Sequence, residues 1–179
     1  MYKEIICPIE FDESLKKKKT FFTIEKPVIS PIEFDDSLIK KKEINFIVND
    51  KPFGKQRPRF ARKGRYISTY TPRETVEYEN KVRKTYQKTV GDIQLEGPIE
   101  VNITGVFPIP ESASKKQKIE MMNGTMQHTK KPDCDNIGKS ILDALNGVAF
   151  KDDAQICMLS IRKKYGDPPK VIVSLKEIN

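Results

Sequence analysis

The sequence has few residues of several types, and each shortage excludes a class of protein. It contains no tryptophan, one histidine and three widely spaced cysteines, Cys7, Cys134 and Cys157. This set does not match a disulfide framework or a zinc-binding motif. No apolar run approaches the roughly 18–20 residues of a membrane-spanning helix, and the N-terminus lacks the segments of a signal peptide. We therefore expect a protein without a membrane anchor, in a reducing cytoplasm.

The net charge of +8 is unevenly distributed along the chain. Residues 1–43 contain nine lysines and nine acidic residues, so the whole excess lies in residues 44–179. Seven cations and no acidic residue occur between Lys51 and Arg65. A concentrated cationic segment is typical of contact with a phosphate backbone, although a solvated loop remains an alternative. The predicted DNA-binding residues are Lys55, Arg57, Arg59, Arg62, Lys63 and Arg65.

The first 43 residues contain a near-repeat. Residues 8–19 match residues 31–42 at ten of twelve positions. Two copies are too few for a solenoid, so a local duplication is the simpler explanation. We divide the chain into an N-terminal arm, residues 1–43, and a main domain, residues 44–179.

The main domain is predicted to be α/β (α+β), a single domain around one mixed β-sheet. Alternating apolar residues predict strands at 43–48, 99–107, 156–163 and 170–176. A helix is predicted from Thr71, which can cap it, to about Val90. Ser112 can cap a second helix, and Asp135 can cap a third that ends at Asn146-Gly147.

Four carboxylates bracket the third helix. Asp133 and Asp135 precede it, and Asp152 and Asp153 follow it. If residues 132–135 are extended, Asp133 and Asp135 point the same way, because residues two apart share one side of a strand. Lys139 lies one turn along the same face.

The second carboxylate pair can rejoin the first only if residues 148–152 run nearly straight alongside the helix. Three or four carboxylates in one small volume would repel each other without a cation. Their hard oxygen ligands favour Mg²⁺, with Mn²⁺ as a possible substitute. The cluster in a basic protein indicates a nuclease, with Lys139 balancing charge on the phosphate. The alternative is that these acids only cap a helix and fill a turn.

These motifs resemble the RusA family of Holliday junction resolvases, small endodeoxyribonucleases of bacteria and their prophages. The resemblance covers roughly residues 44–178. It rests on the order of the aspartates and Lys139, and on segments that resemble the phage-type branch: Asp133–Asn136, Asp143–Asn146, Lys151–Gln155, Gly54–Phe60 and Tyr70–Pro72. One departure is Pro132, which stands where the family can have an arginine.

The resemblance implies a homodimer with a mixed sheet flanked by helices. It also implies Mg²⁺-dependent paired nicking of four-way DNA junctions in recombination and repair. The family's metal-binding acids fall on Asp133, Asp135 and Asp153, with Asp152 a weaker candidate, and its essential lysine falls on Lys139. Two rival functions are a less selective branched-DNA or flap nuclease and a DNA-structure-binding protein without cleavage.

Three residues are predicted to lie outside this chemistry. His128 is expected on the surface of a loop. Cys134 and Cys157 are expected to be buried and unreactive.

Overall fold

The computed structural model describes residues 42–178, apart from the side chain of Lys63. The N-terminal arm with its near-repeat lies outside the described residues, except for Lys42 and Glu43. No helix within the described part of the chain is long and apolar enough to cross a membrane.

The described chain contains six strands, three α-helices and a short 3₁₀ turn. The strands are β1 (Glu43–Val48), β2 (Arg59–Lys63), β3 (Tyr66–Tyr70), β4 (Ile99–Phe107), β5 (Ile156–Tyr165) and β6 (Lys170–Glu177). The helices are α1 (Arg73–Val90), α2 (Lys115–Met122) and α3 (Cys134–Leu145), and the 3₁₀ turn is Asp153–Gln155.

Four strands form a mixed sheet in the order β1-β6-β4-β5. The β1–β6 and β6–β4 pairs are antiparallel, whereas β4 and β5 are parallel. The predicted α/β (α+β) domain with one mixed sheet is therefore confirmed. Strands β2 and β3 form a separate antiparallel hairpin, which contains the second half of the basic segment, from Arg59 to Arg65.

One face of the sheet is buried under the helices. Alternate residues of β4, namely Ile99, Val101 and Ile103, are almost fully buried, while their neighbours are half-buried. Helix α1 contributes Tyr78, Val82 and Tyr86 to this core. Helix α3 contributes the apolar stripe of its amphipathic sequence: Ile137, Ile141, Ala144 and Leu145. This two-layer packing fixes α3 across the buried face of the sheet.

The element spans agree with the sequence predictions, but the helix caps differ. Pro72, without a side-chain cap, precedes α1, so the predicted Thr71 cap is wrong. Ser114, not Ser112, caps α2, and it forms a reciprocal capping box with Gln117. Ser112 and Ser114 have the same capping chemistry, so the sequence alone did not separate them.

Candidate active site

Helix α3 begins two residues earlier than its sequence predicted, at Cys134 instead of Asn136. Asp133 occupies the N-cap position in an extended conformation (φ −75, ψ 155), and Asp135 lies in the first turn. The predicted N-cap role of Asp135 and the extended run 132–135 are therefore wrong. Asp133 makes no side-chain cap bond, and both carboxylates are exposed. They stand free at the positive end of the helix, which favours negative charge.

The start of α3 is held in place by the loop before the hairpin, residues 51–58, here called the basic loop. The Lys55 amide donates to the Asn136 carbonyl over 2.9 Å. The Ser140 hydroxyl donates to the Phe53 carbonyl over 2.7 Å. Gly54 allows this approach, because a Cβ there would lie 2.5 Å from the Cβ of Pro132. The loop and the start of α3 therefore form one packed unit.

Lys55 joins this loop to two helices. Its ammonium group pairs with Asp143 of α3 and lies 3.1 Å from Glu79 Oε1 of α1. Burial lowers the pKa of Lys55, but the hydrogen bonds to Asp143 and Glu79 outweigh it and leave the pKa raised. Asp143 therefore pairs with Lys55 of the basic loop. The charge of Lys55 is already balanced within the protein.

The second pair of carboxylates, Asp152 and Asp153, lies at the 3₁₀ turn, which is hydrogen-bonded to the segment before β4. The Asp152 carboxylate caps the 3₁₀ turn by accepting from the Ala154 amide over 2.8 Å. Gln155 accepts from the Lys151 amide over 2.8 Å and donates to the Gly97 carbonyl over 2.9 Å. Asp153 is exposed. Gln155 is a positioning residue that the sequence reasoning passed over, although it is part of the Lys151–Gln155 motif.

The two pairs of carboxylates lie at opposite ends of β5. The Lys163 ammonium donates to the Pro132 carbonyl over 3.0 Å, so the start of α3 lies at the C-terminal end of the strand. Asp153, in contrast, just precedes Ile156, the first residue of the strand. From Ile156 to Lys163 an extended strand covers about 23 Å, at roughly 3.3 Å per residue.

The condition for Asp153 to return to Asp135 within one chain, a straight run of residues 148–152 alongside α3, is therefore not met. After the helix, Gly147 adopts a positive φ of 72 and its amide donates to the Phe150 carbonyl over 2.9 Å. This turn buries Phe150 and pairs it with Leu95, so the chain leaves α3 instead of following it back. Within residues 42–178 no three acidic, histidine or cysteine side chains lie close enough to hold a metal ion. Residues 42–178 of one chain thus do not bring the two pairs of aspartates together in one cluster.

Lys139 and the predicted DNA-binding arginines and Lys63 lie on α3, in the basic loop and on the hairpin. Lys139 is exposed on α3, and no ion pair of the described residues involves it. Arg57, Arg59, Arg62 and Arg65 are exposed as well, the first in the basic loop and the others along the hairpin. Lys63 is the last residue of β2.

Two predictions outside the site are wrong. His128 is buried, with its ring stacked on Phe107 at 3.8 Å between centroids and 4.9 Å from that of Tyr165. Burial, followed by the nearby charge of Lys163, lowers the pKa of His128. Cys157 is exposed on β5 because that strand is at the edge of the sheet, while Cys134 is half-buried.

A cleft of about 870 Å³ opens beside the first carboxylate pair. Its walls are the basic loop, the start of α1 and residues 131–136, so that Asp133 and Asn136 line it. The acids on the α1 side are already engaged: Asp50 binds Lys81 over 2.5 Å, and Glu74 accepts from Gln56 over 2.7 Å. The cleft therefore extends from the basic loop, at the base of the hairpin, to Asp133.

A family model identifies the class of protein to which this chain belongs. The family model described as "Endodeoxyribonuclease RusA" matches residues 49–176, so this chain belongs to the RusA family of junction-resolving endonucleases. The chain is also 30% identical over 138 residues to the uncharacterized protein YqaN of Bacillus subtilis (strain 168). That match covers 76% of this chain and 97% of the relative. The resemblance seen in the motifs is thereby confirmed at the level of the family.

Proposed function

We propose that this protein is a Mg²⁺-dependent endodeoxyribonuclease that resolves Holliday junctions by paired symmetric nicks, and that it acts as a homodimer. The observation that carries the proposal is the position of its carboxylates. Asp133 and Asp135 lie at one end of an edge strand, β5, and Asp153 lies at the other end. A second copy of the chain, paired along that edge, would bring the two ends together.

The outer edge of β5 has the character of an interface. Residues 157–160 are all exposed, with Met158 at 56% and Leu159 at 48%. Leu159 pairs with the fully buried Val101 and so faces the helix side of the sheet, yet about half of its surface stays exposed. No strand within residues 42–178 pairs with this edge. An open apolar edge readily pairs with another chain.

A twofold pairing of this edge would bring acids of the two chains together. If two β5 strands pair antiparallel about a twofold axis through Leu159, the two Leu159 residues lie opposite each other and Ile156 lies opposite Arg162 of the partner subunit, next to its Lys163. Because Lys163 contacts Pro132, the partner's Asp153 then lies near Asp133 and Asp135. Such an isologous interface creates two identical sites, each with acids from both chains.

The chemistry of each shared site follows from its donors. Three aspartates, with Asp152 as a weaker fourth, offer the hard oxygen ligands that Mg²⁺ and Mn²⁺ prefer. A bound cation would supply Lewis-acid chemistry to phosphodiester hydrolysis. Lys139, one turn beyond Asp135 on α3, would balance negative charge on the phosphate. The basic loop and hairpin, with Arg57, Arg59, Arg62, Lys63 and Arg65, would contact the DNA backbone.

The symmetry of the proposed dimer matches that of its substrate. A four-way junction has near-twofold symmetry, so two equivalent sites can nick opposed strands symmetrically. Selectivity would then depend on branched shape more than on base edges. Family membership suggests a place in recombination and repair in the bacterial or prophage-carrying cytoplasm. A less selective branched-DNA nuclease and a DNA-binding protein without cleavage are the rival functions.

The first experiment is a cleavage assay. Purified protein is incubated with a synthetic four-way junction and with its linear duplex, with and without Mg²⁺. We expect paired nicks in the junction only, and only with the metal. Equal cleavage of the duplex would favour the less selective nuclease, and junction binding without any nicks would favour the binding protein.

A complementation experiment tests the shared site. Asp135→Asn and Asp153→Asn chains carrying different tags are co-expressed and the heterodimer is purified. Both substitutions then fall in one of its two shared sites, which leaves the other intact. We expect the heterodimer to nick one strand while each mutant homodimer is inactive. If each site were built from one chain, the heterodimer would be inactive too, and that result would overturn the dimeric site.

A further inference from the structure

One face of the hairpin carries two exposed apolar side chains, Phe60 and Ile67, beside Arg62, which is one of the proposed backbone contacts. In its register Phe60 pairs with Thr69 and Arg62 pairs with Ile67. Paired residues share a side and successive residues alternate, so these four side chains form one face of the hairpin. Phe60 is 76% exposed and Ile67 is 73% exposed. They are diagonal neighbours, roughly 7–8 Å apart, so they form one continuous apolar surface.

The charge around this face limits what can cover it. No acidic residue occurs between Asp50 and Glu74, whereas the loop and hairpin carry seven cations from Lys51 to Arg65. An ordinary protein surface would leave those cations uncompensated. A partner must therefore offer both dense negative charge and flat apolar surface. DNA with an unstacked base meets both requirements.

The hairpin is firmly attached beside the candidate active site. Gln56 of the basic loop, before β2, donates to Glu74 in the first turn of α1, after β3, over 2.7 Å, which links the two ends of the hairpin. The Lys55 amide joins the basic loop to the Asn136 carbonyl at the start of α3. The five-residue strands then extend roughly 17 Å from this root. An object bound on the hairpin therefore lies within about 17 Å of the basic loop, which packs on the start of α3.

We propose that the Phe60–Ile67 face is a wedge that stacks on unpaired bases at the branch point of a DNA junction. This inference rests on the proposed function, because it assumes that branched DNA reaches the cleft beside Asp133. The bases flanking a branch point lose a stacking neighbour when the junction opens, and an aromatic ring can replace that neighbour. The wedge would therefore recognise the branch itself, while the arginines hold the arms. Duplex arms contain no such open base step.

The test uses the full chain carrying Asp135→Asn, so that binding can be measured in Mg²⁺ without cleavage. The fluorescent base 2-aminopurine is placed either at the branch point or in the middle of one arm. We expect binding to raise fluorescence at the branch point, because the base leaves its neighbour, and to leave the arm position unchanged. Phe60→Ala and Ile67→Ala should abolish the rise and weaken junction binding by about 5- to 100-fold, with little effect on duplex binding.

Tyr66→Ala is the matched control. Tyr66 is also highly exposed, at 82%, but it lies on the opposite face of the hairpin, beside Lys63. We expect this variant to keep the branch-point signal. Because all three side chains are exposed, circular dichroism and melting temperature should be unchanged in each variant.

Other outcomes would overturn the proposal in distinguishable ways. Preferential junction binding with no branch-point signal would overturn the wedge and leave the proposed function standing. Absence of any junction preference in the parent chain would overturn the proposed function, and the wedge with it. Flotation with vesicles of anionic lipid, abolished in Phe60→Ala while the branch-point signal persists in that variant, would reassign the face to a membrane surface.

Discussion

Lys163 of β5 donates a hydrogen bond to the Pro132 carbonyl, 3.0 Å away, and to the Lys130 carbonyl, 2.9 Å away. These contacts attach the segment before α3 to the C-terminal end of the edge strand. They determine that Asp133 and Asp153 of one chain lie at opposite ends of β5, and every prediction about catalysis below depends on that arrangement.

The first prediction separates cleavage from binding. Asp135→Asn and Asp153→Asn should each reduce junction nicking by about 100-fold or more, since losing a metal ligand should cost at least as much as losing an outer-shell partner. Junction affinity should change little, because binding depends on the cationic hairpin. Nicking is followed on gels and affinity by fluorescence anisotropy. Full cleavage by either variant would remove that aspartate from the reaction.

The second prediction concerns the edge of β5. Leu159→Lys should convert the dimer to monomers, because two lysines would face each other close to the twofold axis. Nicking should disappear at the same time. The control is Ile47→Lys on β1, the opposite edge of the sheet, where exposure is a similar 44%. Sedimentation velocity measures the mass, and an unchanged dimer in Leu159→Lys would exclude this edge as the interface.

The third prediction concerns the ion pairs of Lys55. Lys55→Met leaves the buried Glu79 oxygen without a cation, so it should lower the free energy of unfolding by about 1–3 kcal/mol. The salt dependence of junction binding should be unchanged, because Lys55 is already paired with protein carboxylates. In the double variant Arg57→Ala and Arg59→Ala, the logarithm of the junction-binding constant should depend less steeply on the logarithm of the salt concentration. The slope should fall by about one for each DNA phosphate that is no longer neutralised. Lys55→Arg serves as the control for charge. A reduced slope in Lys55→Met would instead assign Lys55 to the DNA.

The fourth prediction is a pH dependence of stability. His128 is the single histidine of the sequence, and its folded-state pKa lies below the ordinary value of 6.5. Between the two values the unfolded chain binds more protons than the folded one, so stability rises with pH. Stability should therefore fall as the pH is lowered through 6.5 and down to the folded-state pKa. Denaturant unfolding at several pH values measures this, and His128→Phe should flatten the profile in that window.

The sequence predicted most of the architecture because the periodicity of apolar residues encodes it directly. The alternation in Ile99–Phe107 and the stripe from Ile137 to Leu145 each identify one buried face, and the structure has both. Caps were less well determined, because several residues near each helix start have the same hydrogen-bonding chemistry. Thr71 is an example: its sequence suits a cap, yet Glu74 hydrogen-bonds to Gln56 of the distant loop.

The errors in the site arose from contacts between residues far apart in sequence. Chain length allowed Asp153 to return to Asp135, but it gave no information about the turn at Gly147 that prevents the return. The burial of His128 depends on Phe107 and Tyr165, which come from two different strands. The exposure of Cys157 depends on the position of β5 in the sheet order. None of these relationships leaves a periodic signal in the sequence.

The bare outer margin of β5 has a consequence for how much of this protein is needed. If catalysis requires two copies to pair along that margin, diluting the protein below the dissociation constant of the dimer lowers its activity by more than the dilution factor. A few stray molecules would then leave chromosomal DNA uncut, and accumulation of the protein would itself act as the trigger.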